Sequence, residues 1–385
     1  MKIVGIICEY NPFHKGHTKQ IAAIRRLCGE DSSIVCLMSG NFVQRGHPAI
    51  IDKSLRAQAA VDCGADLVLE MPAQVSLSSA EGFAAGGVKI LSGVCDTLCF
   101  GAETASPDNL WRTAQALQSQ SFSPSLRRFL DDGLSFPAAR AKALEAMGIS
   151  AELLAKPNDI LAVEYCKAIL SQGSSLEVLP IRRQGDYHGE TPDVENPSAT
   201  FVRSVMMDDG DISPYVPEKA VFQQYAAVHA LQHGERAILA RLRTMGDDEF
   251  EALPYGSEGL WRKLMHESRR QSSLEDILTA VKSKRYTRTR LDRMVMCAFL
   301  GLTAEDLAAP APYIRALAVS AKGRSVLKAA REKITIYNPG QIPDSPYWAT
   351  ESRIGNLYGL FAEDGPEPPD AEHARRIYRK EDANL

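Results

Sequence analysis

Five short apolar runs constrain this chain more than any other feature: residues 2–8, 33–38, 66–70, 97–100 and 176–181. They are rich in Val, Ile and Leu and show little alternation, as strands do when a parallel sheet is covered on both faces. Helical patterns separate them, at about 16–28, 53–63, 79–92 and 107–118. Strand–helix–strand alternation predicts an α/β domain with a doubly wound parallel sheet.

Residues 123–172 are mostly helical in pattern and read as the last crossover, enlarged by a helical insertion. Residues 185–197 are rich in Gly, Pro, Asn and Asp and read as a long loop, of a length that in compact domains often carries function. A helix begins near Ser198. Beyond about residue 212 the β signal vanishes. Segments 218–232, 234–244, 257–269, 274–282, 288–300 and 311–332 read as helical, predicting a second, mostly α-helical domain over 212–385 after the α/β domain over 1–211. Residues 363–373 form an acidic, Pro-rich segment, and the tail from Ala374 reads as helical or disordered. With 385 residues, 45% of them hydrophobic, the chain has material for two cores.

The formal net charge is −4, so a nucleic-acid partner has to meet a local basic patch rather than a basic protein. The eight cysteines include no CxxC pair and no zinc spacing, and most lie in apolar segments. That pattern predicts a reduced, cytoplasmic protein without disulfides. The first apolar run is broken by Glu9 and leads into a polar motif, unlike a signal peptide. No stretch approaches the ~20 apolar residues that span a bilayer.

The polar motif is Glu9-Tyr10-Asn11-Pro12-Phe13-His14-Lys15-Gly16-His17, between the first strand and an amphipathic helix. A helix N-terminus offers unpaired N–H groups and partial positive charge, so it binds phosphate. Gly16 removes a side chain where backbone has to approach a nucleotide. His14 and His17 can donate hydrogen bonds to phosphate oxygens and stabilise the charge that builds as an α-phosphate is attacked. Pro12 restricts the turn that delivers His14. In isolation HxGH is also an ordinary helix start; its placement at the first strand–helix turn argues for the chemistry.

A second half of the signature is Ser198-Ala199-Thr200-Phe201-Val202-Arg203. Ser198 is a good N-cap. Thr200 and Arg203 lie three apart on one helical face and are candidates to clamp the β,γ-phosphates. The two motifs in this order resemble the HIGH-type nucleotidylyltransferase superfamily, which shares an α/β fold with class I aminoacyl-tRNA synthetases. Ala199 stands where that family's motif has a second serine, so one phosphate contact is missing.

Further segments narrow the resemblance: Ser39-Gly40-Asn41-Phe42-Val43-Gln44-Arg45-Gly46, Asp52-Lys53, Gly64-Ala65-Asp66, Phe100-Gly101-Ala102-Glu103 and Lys156-Pro157-Asn158-Asp159-Ile160-Leu161. Together with the first motif they resemble the bacterial tRNA(Met) cytidine acetate ligase family over essentially the whole chain. The resemblance implies that ATP and acetate form acetyl-adenylate. The N4 amine of the wobble cytidine of elongator tRNA(Met) then takes the acetyl group, giving N4-acetylcytidine. It also implies ATP contacts over Ile7, Cys8, Glu9, Tyr10, Asn11, Pro12, Phe13, His14, Lys15, Gly16, His17, Thr18, Lys19 and Gln20, and at Gly101, Asn158, Arg182 and Arg183. Gly101 follows a strand, Asn158 opens a helix, and the two arginines end a strand at the same sheet edge. Period-2 alternation lets only one of them face the nucleotide. Mg2+ is expected with ATP; no carboxylate set marks a protein metal site.

The densest basic stretch, residues 282–293, has six Lys or Arg against one acid. Lys282, Lys284, Arg285, Arg288, Arg290 and Arg293, with Tyr286 as a stacking platform, are candidates to hold a single-stranded loop such as an anticodon. A solvated helix face is the plain alternative. Arg45 and Lys53 are further candidates for phosphate or tRNA, and His188 for a general base. No obligate protein partner is evident. Two other functions compete: a small-molecule adenylyltransferase of the pantetheine-phosphate or nicotinamide-nucleotide type, and a non-catalytic RNA-binding module. The long helical extension argues against the first. Intact His14, Gly16, His17, Thr200 and Arg203 argue against the second.

Overall fold

The computed structural model describes residues 2–183, 193–283, 285–369 and 371–381. Its strands are β1 (Ile3–Cys8), β2 (Ser33–Ser39), β3 (Phe42–Val43), β4 (His47–Pro48), β5 (Leu67–Met71), β6 (Thr97–Ala102), β7 (Glu177–Arg182), β8 (Ile314–Val319), β9 (Ile336–Tyr337) and β10 (Tyr378–Arg379). The main sheet runs β10-β8-β5-β2-β1-β6-β7, with β9 also on β8; β3 and β4 form a separate hairpin. The run β5-β2-β1-β6-β7 is parallel, as the five apolar runs predict. β8 joins β5 antiparallel.

Helices α1 (Lys15–Cys28) and α2 (Lys53–Asp62) cover one face. They close a core that includes Ile6, Ile24, Met38 and Ala57. Helices α3 (Ala80–Leu91), α4 (Pro107–Gln118) and α5 (Pro157–Ser171), with helix Ala321–Arg331, cover the other. Leu37, Leu69, Phe83, Val163 and Val326 pack there. Two more matter below: α6 (Ala199–Met207) and α7 (Arg288–Leu300). A helical cluster gathers around Phe250, Ile277, Met294 and Phe361, and Phe42 of the β3–β4 hairpin packs into it.

Three expectations for the second half are corrected. Residues 314–319 are not helix but a strand with every residue buried. Ala, Leu and Arg favour helix locally, but a place between β5 and β10 overrides that preference. Segment 218–232 is only a 3-10 helix at Glu218–Tyr225, after which His229 bridges Ala362. The tail supplies β10, parallel to β8. The sheet therefore takes strands from both sides of residue 212.

What brings the tail back is a buried ion cluster. Lys53 meets Glu70 (2.7 Å) and Glu372 (2.9 Å). Arg315, inward on β8, meets Glu70 (2.9 Å), Glu351 (2.9 Å) and Glu372 (2.7 Å). Arg375 meets Glu372 (2.9 Å) and Asp52 (2.7 Å). Lys53 is therefore a core ion-pair partner, not a surface contact for phosphate or tRNA. Burial raises the pKa of Glu351, opposed by the charge of Arg315 beside it. Deleting one partner of a buried pair strands the others and costs about 3–5 kcal/mol. Glu372→Ala is thus expected to lower unfolding stability by about that amount in urea titration; a loss within about 1 kcal/mol would show that the cluster does not hold the tail.

Candidate active site

The motif turn between β1 and α1 is gripped from several elements. Tyr10, at φ 46°, is buried against Phe13 and His17, with ring centroids 4.9 and 4.7 Å apart. Asn11 Oδ1 accepts from Ile50 N (2.7 Å), and Asn11 O accepts from Arg203 Nη1 (2.7 Å). Gln223 bonds both N and O of Phe13 (3.1 and 3.0 Å), and Lys15 N donates to Tyr215 O. Buried Arg56 donates to Glu9 O (2.6 Å), while the Glu9 carboxylate accepts from Gln44 N (2.9 Å). Gln223, Tyr215 and Arg56 support the turn from elsewhere in the chain; no local motif marks the first two.

His14 is the N-cap of α1. Its Nδ1 accepts from Gly16 N (3.1 Å), and His14 N donates to Nδ1 of His17 (3.2 Å), an imidazole version of the capping box. A ring nitrogen that accepts carries no proton, so each neutral ring keeps its proton on Nε2. The rings lie 3.8 Å apart. A Cβ on Gly16 would stand 2.8 Å from Cε1 of His14, so any side chain there would push the folded-back ring out of place. Burial, then the charges of Arg183 and Arg203, lower the His14 pKa to about 3. Burial, His14 and Arg183 push His17 well below its usual value. Two neutral N–H donors thus stand beside two guanidinium groups, an environment that favours an anion.

The second motif meets the first through Arg203 and Asn11 O. Ser198 caps α6 by accepting from Phe201 N, and Arg203 Nη2 donates to Thr200 Oγ1 (3.1 Å). Lys19 Nζ donates to Glu195 O (2.6 Å) and Asn196 Oδ1 (2.9 Å), tying α1 to the segment before α6. Lys15 lies 3.8 Å from the Glu195 carboxylate. Of the arginine pair, Arg183 reaches the site: its field acts on both imidazoles and its side chain lies over Gly101. Arg182 is the last residue of β7, and both arginines are exposed there. Asn158 opens α5 and donates Nδ2 to Glu103 (2.7 Å). Within Ile7–Gln20, Ile7, Tyr10 and Phe13 are committed to packing, Cys8 Sγ approaches Leu37 O, and Gln20 Nε2 faces Cys99. Thr18 Oγ1 is buried without a hydrogen-bond partner, and Pro12 is buried in the turn.

The basic stretch is less free than its composition suggests. Arg288 forks onto Glu275 (2.8 Å) and meets Asp292 (2.8 Å). Arg290 donates to Tyr255 O and Ser257 Oγ. Arg293 is buried over the Tyr255 ring and donates to Gln44 O (3.5 Å). Arg285 and Tyr286 share Glu258 at the surface. Lys282 is exposed; Lys284 and His188 lie outside the described residues. Arg288 and Arg293 thus serve the fold. Gln44, bonded to both Glu9 and Arg293, links this region to the motif turn.

Known proteins resemble this chain over most of its length. The sequence model of the HIGH Nucleotidyl Transferase family matches residues 1–367. The tRNA(Met) cytidine acetate ligase of Clostridium novyi is 35% identical, over 87% of this chain and 89% of the relative. That of Anoxybacillus flavithermus is 33% identical over 98% and 99%. The crystal structure of apo Thermotoga maritima TmcAL superposes with a TM-score of 0.90 at 29% identity, covering 99% of this chain and all of the other. The same protein bound with alpha-thio ATP gives 0.87.

The imidazole pair makes a direct prediction. A folded-state pKa far below the unfolded value of ~6.5 means that the unfolded chain takes up protons first, so stability falls as pH drops from ~6.5 towards 3. NMR of the ring carbons and nitrogens is expected to show His14 and His17 neutral, as Nε2–H tautomers, throughout pH 5–8. An inflection near pH 6.5 for either ring would contradict the assignment.

Proposed function

The chain belongs to the HIGH nucleotidyl transferase family and, within it, to the tRNA(Met) cytidine acetate ligases, and on that premise we propose that it activates acetate with ATP and acetylates N4 of the wobble cytidine of elongator tRNA(Met). The observation that carries this reading is the pair of neutral imidazoles, flanked by Arg183 and Arg203, at the mouth of α1. Acetate oxygen bonds to the α-phosphorus and the bond to the β-phosphate oxygen breaks, releasing pyrophosphate. The Nε2–H groups of His14 and His17 stabilise the charge that builds on the phosphate oxygens. Being neutral, they donate without needing a proton from solvent. Arg183, Arg203 and Thr200 take the outer phosphates; the guanidinium fork suits them. The cytidine amine then bonds to the acetyl carbon, AMP leaves, and the amine proton passes to a base.

Mg2+ enters as the companion of ATP. Among the described residues no group of three His, Cys, Asp or Glu could hold a metal, so no protein ligand is assigned. The helical half offers the tRNA face, with Lys282, Arg285 and Tyr286 at its surface. The exposed contacts of Arg285 and Tyr286 with Glu258 are weak, and phosphate can replace them. The target base has to be unstacked to reach the site. Eight free cysteines, with thiols such as Cys99 pushed up to about 12 by burial, suit a reducing cytoplasm. No described helix is long and apolar enough to cross a membrane. A small-molecule adenylyltransferase is not favoured, since the ligase relatives match nearly the whole chain.

Incubation with ATP and labelled acetate, with and without tRNA(Met), tests the reading. Label is expected in tRNA, with AMP and pyrophosphate released. His14→Ala and His17→Ala are each expected to slow adenylate formation on the order of a hundredfold, as loss of an oxyanion donor does. Transfer of AMP to a small phosphate ester, or wild-type rates in both variants, would refute it.

A further inference from the structure

Glu103 comes one residue after β6, in the crevice outside the strand carboxyl ends where open α/β sheets hold ligands. Its carboxylate caps α5. One oxygen accepts from Asn158 N (3.4 Å) and Asn158 Nδ2 (2.7 Å), the other from Asp159 N (2.8 Å). Asp159, fully buried, answers by accepting from Thr104 N (3.0 Å) and Thr104 Oγ1 (2.6 Å). These reciprocal bonds clamp the loop after β6 to the start of α5. A carboxylate at a helix N-terminus is by itself ordinary stabilisation.

The side-chain bond adds more. An ionised carboxylate accepts and cannot donate, so the Asn158 amide has to turn its NH2 toward Glu103. The usual ambiguity of amide orientation is thereby removed. The carbonyl Oδ1 is left facing away, with no protein donor among the described residues, on a half-buried side chain. Two residues before Glu103, Gly101 lies under the side chain of Arg183, whose charge reaches both imidazoles. The clamp thus presents Asn158 Oδ1 as an outward acceptor next to the loop that follows Gly101.

We propose that Glu103 is a positioning residue that fixes Asn158 as a hydrogen-bond acceptor for ATP, so that the site selects nucleotides presenting a donor there. This rests on the ATP reading above and adds a basis for nucleotide choice. ATP offers such donors on the 6-amino group of the base and on the 2′- and 3′-hydroxyls of the ribose. Glutamine at 103 can donate as well as accept, so it no longer dictates which face of the amide meets the nucleotide.

The test is acetate-dependent ATP–pyrophosphate exchange by wild type and Glu103→Gln with ATP, ITP, 2′-deoxyATP and 3′-deoxyATP. The variant is expected to raise KM for ATP about tenfold, the worth of one hydrogen bond, with kcat within about twofold. Its preference for ATP over ITP is expected to collapse by a similar factor if the base is read, or its preference over a deoxy analogue if the ribose is. Glu103→Asp, which keeps the carboxylate, is expected to restore part of the preference. Should Glu103→Gln melt early, Asn158→Ala leaves the carboxylate cap in place and has to lose the same ratio. Unchanged ratios, or a kcat loss common to all four nucleotides, would overturn the proposal while leaving the ATP reading intact. A wild type inert with ATP would overturn both.

Discussion

At the mouth of α1 two imidazoles accept backbone N–H bonds through Nδ1, and that single arrangement decides their chemistry. It satisfies donors that a helix start leaves open. It places both protons on Nε2. It also folds the His14 ring over position 16, where a side chain would displace it. Burial beside Arg183 and Arg203 keeps the rings neutral, so they act as fixed dipoles rather than titrating charges. Preorganised donors of this kind need no reorganisation when charge develops on a substrate.

The turn that carries the imidazoles is assembled from distant parts of the chain. Arg203 holds Asn11 O, Gln223 brackets Phe13, and Arg56 holds Glu9 O. The loop that reaches Asn11 through Ile50 leads directly into Asp52 and Lys53, which are paired with Arg375 and Glu372 near the end of the chain. Each contact is modest alone. Together they fix the geometry from several directions, as a preorganised site requires.

The parallel strands were legible because strands covered on both faces are largely apolar, a mark clear in β1, β2, β5 and β6 and weaker in the half-buried edge strand β7. HxGH and SxTxxR were legible because local motifs do local chemistry. β8 was not, because Ile314-Arg315-Ala316-Leu317-Ala318-Val319 has helix-favouring residues and a charge whose partners lie 36 to 245 positions away. Gln223 and Glu372 escaped for the same reason: their importance is set by tertiary partners. The basic stretch misled in the opposite sense. Charge density is visible in sequence, but the acids Glu275 and Glu258 that neutralise Arg288 and Arg285 come from other segments.

A crystal structure of this protein with a non-hydrolysable ATP analogue tests the central claim most directly. The account predicts Nε2 of His14 and of His17 each within ~3.2 Å of an oxygen of the triphosphate, with Nδ1 of both still bonded to backbone N–H. Phosphates bound away from the mouth of α1, or rings turned to offer Nδ1 instead, would contradict it.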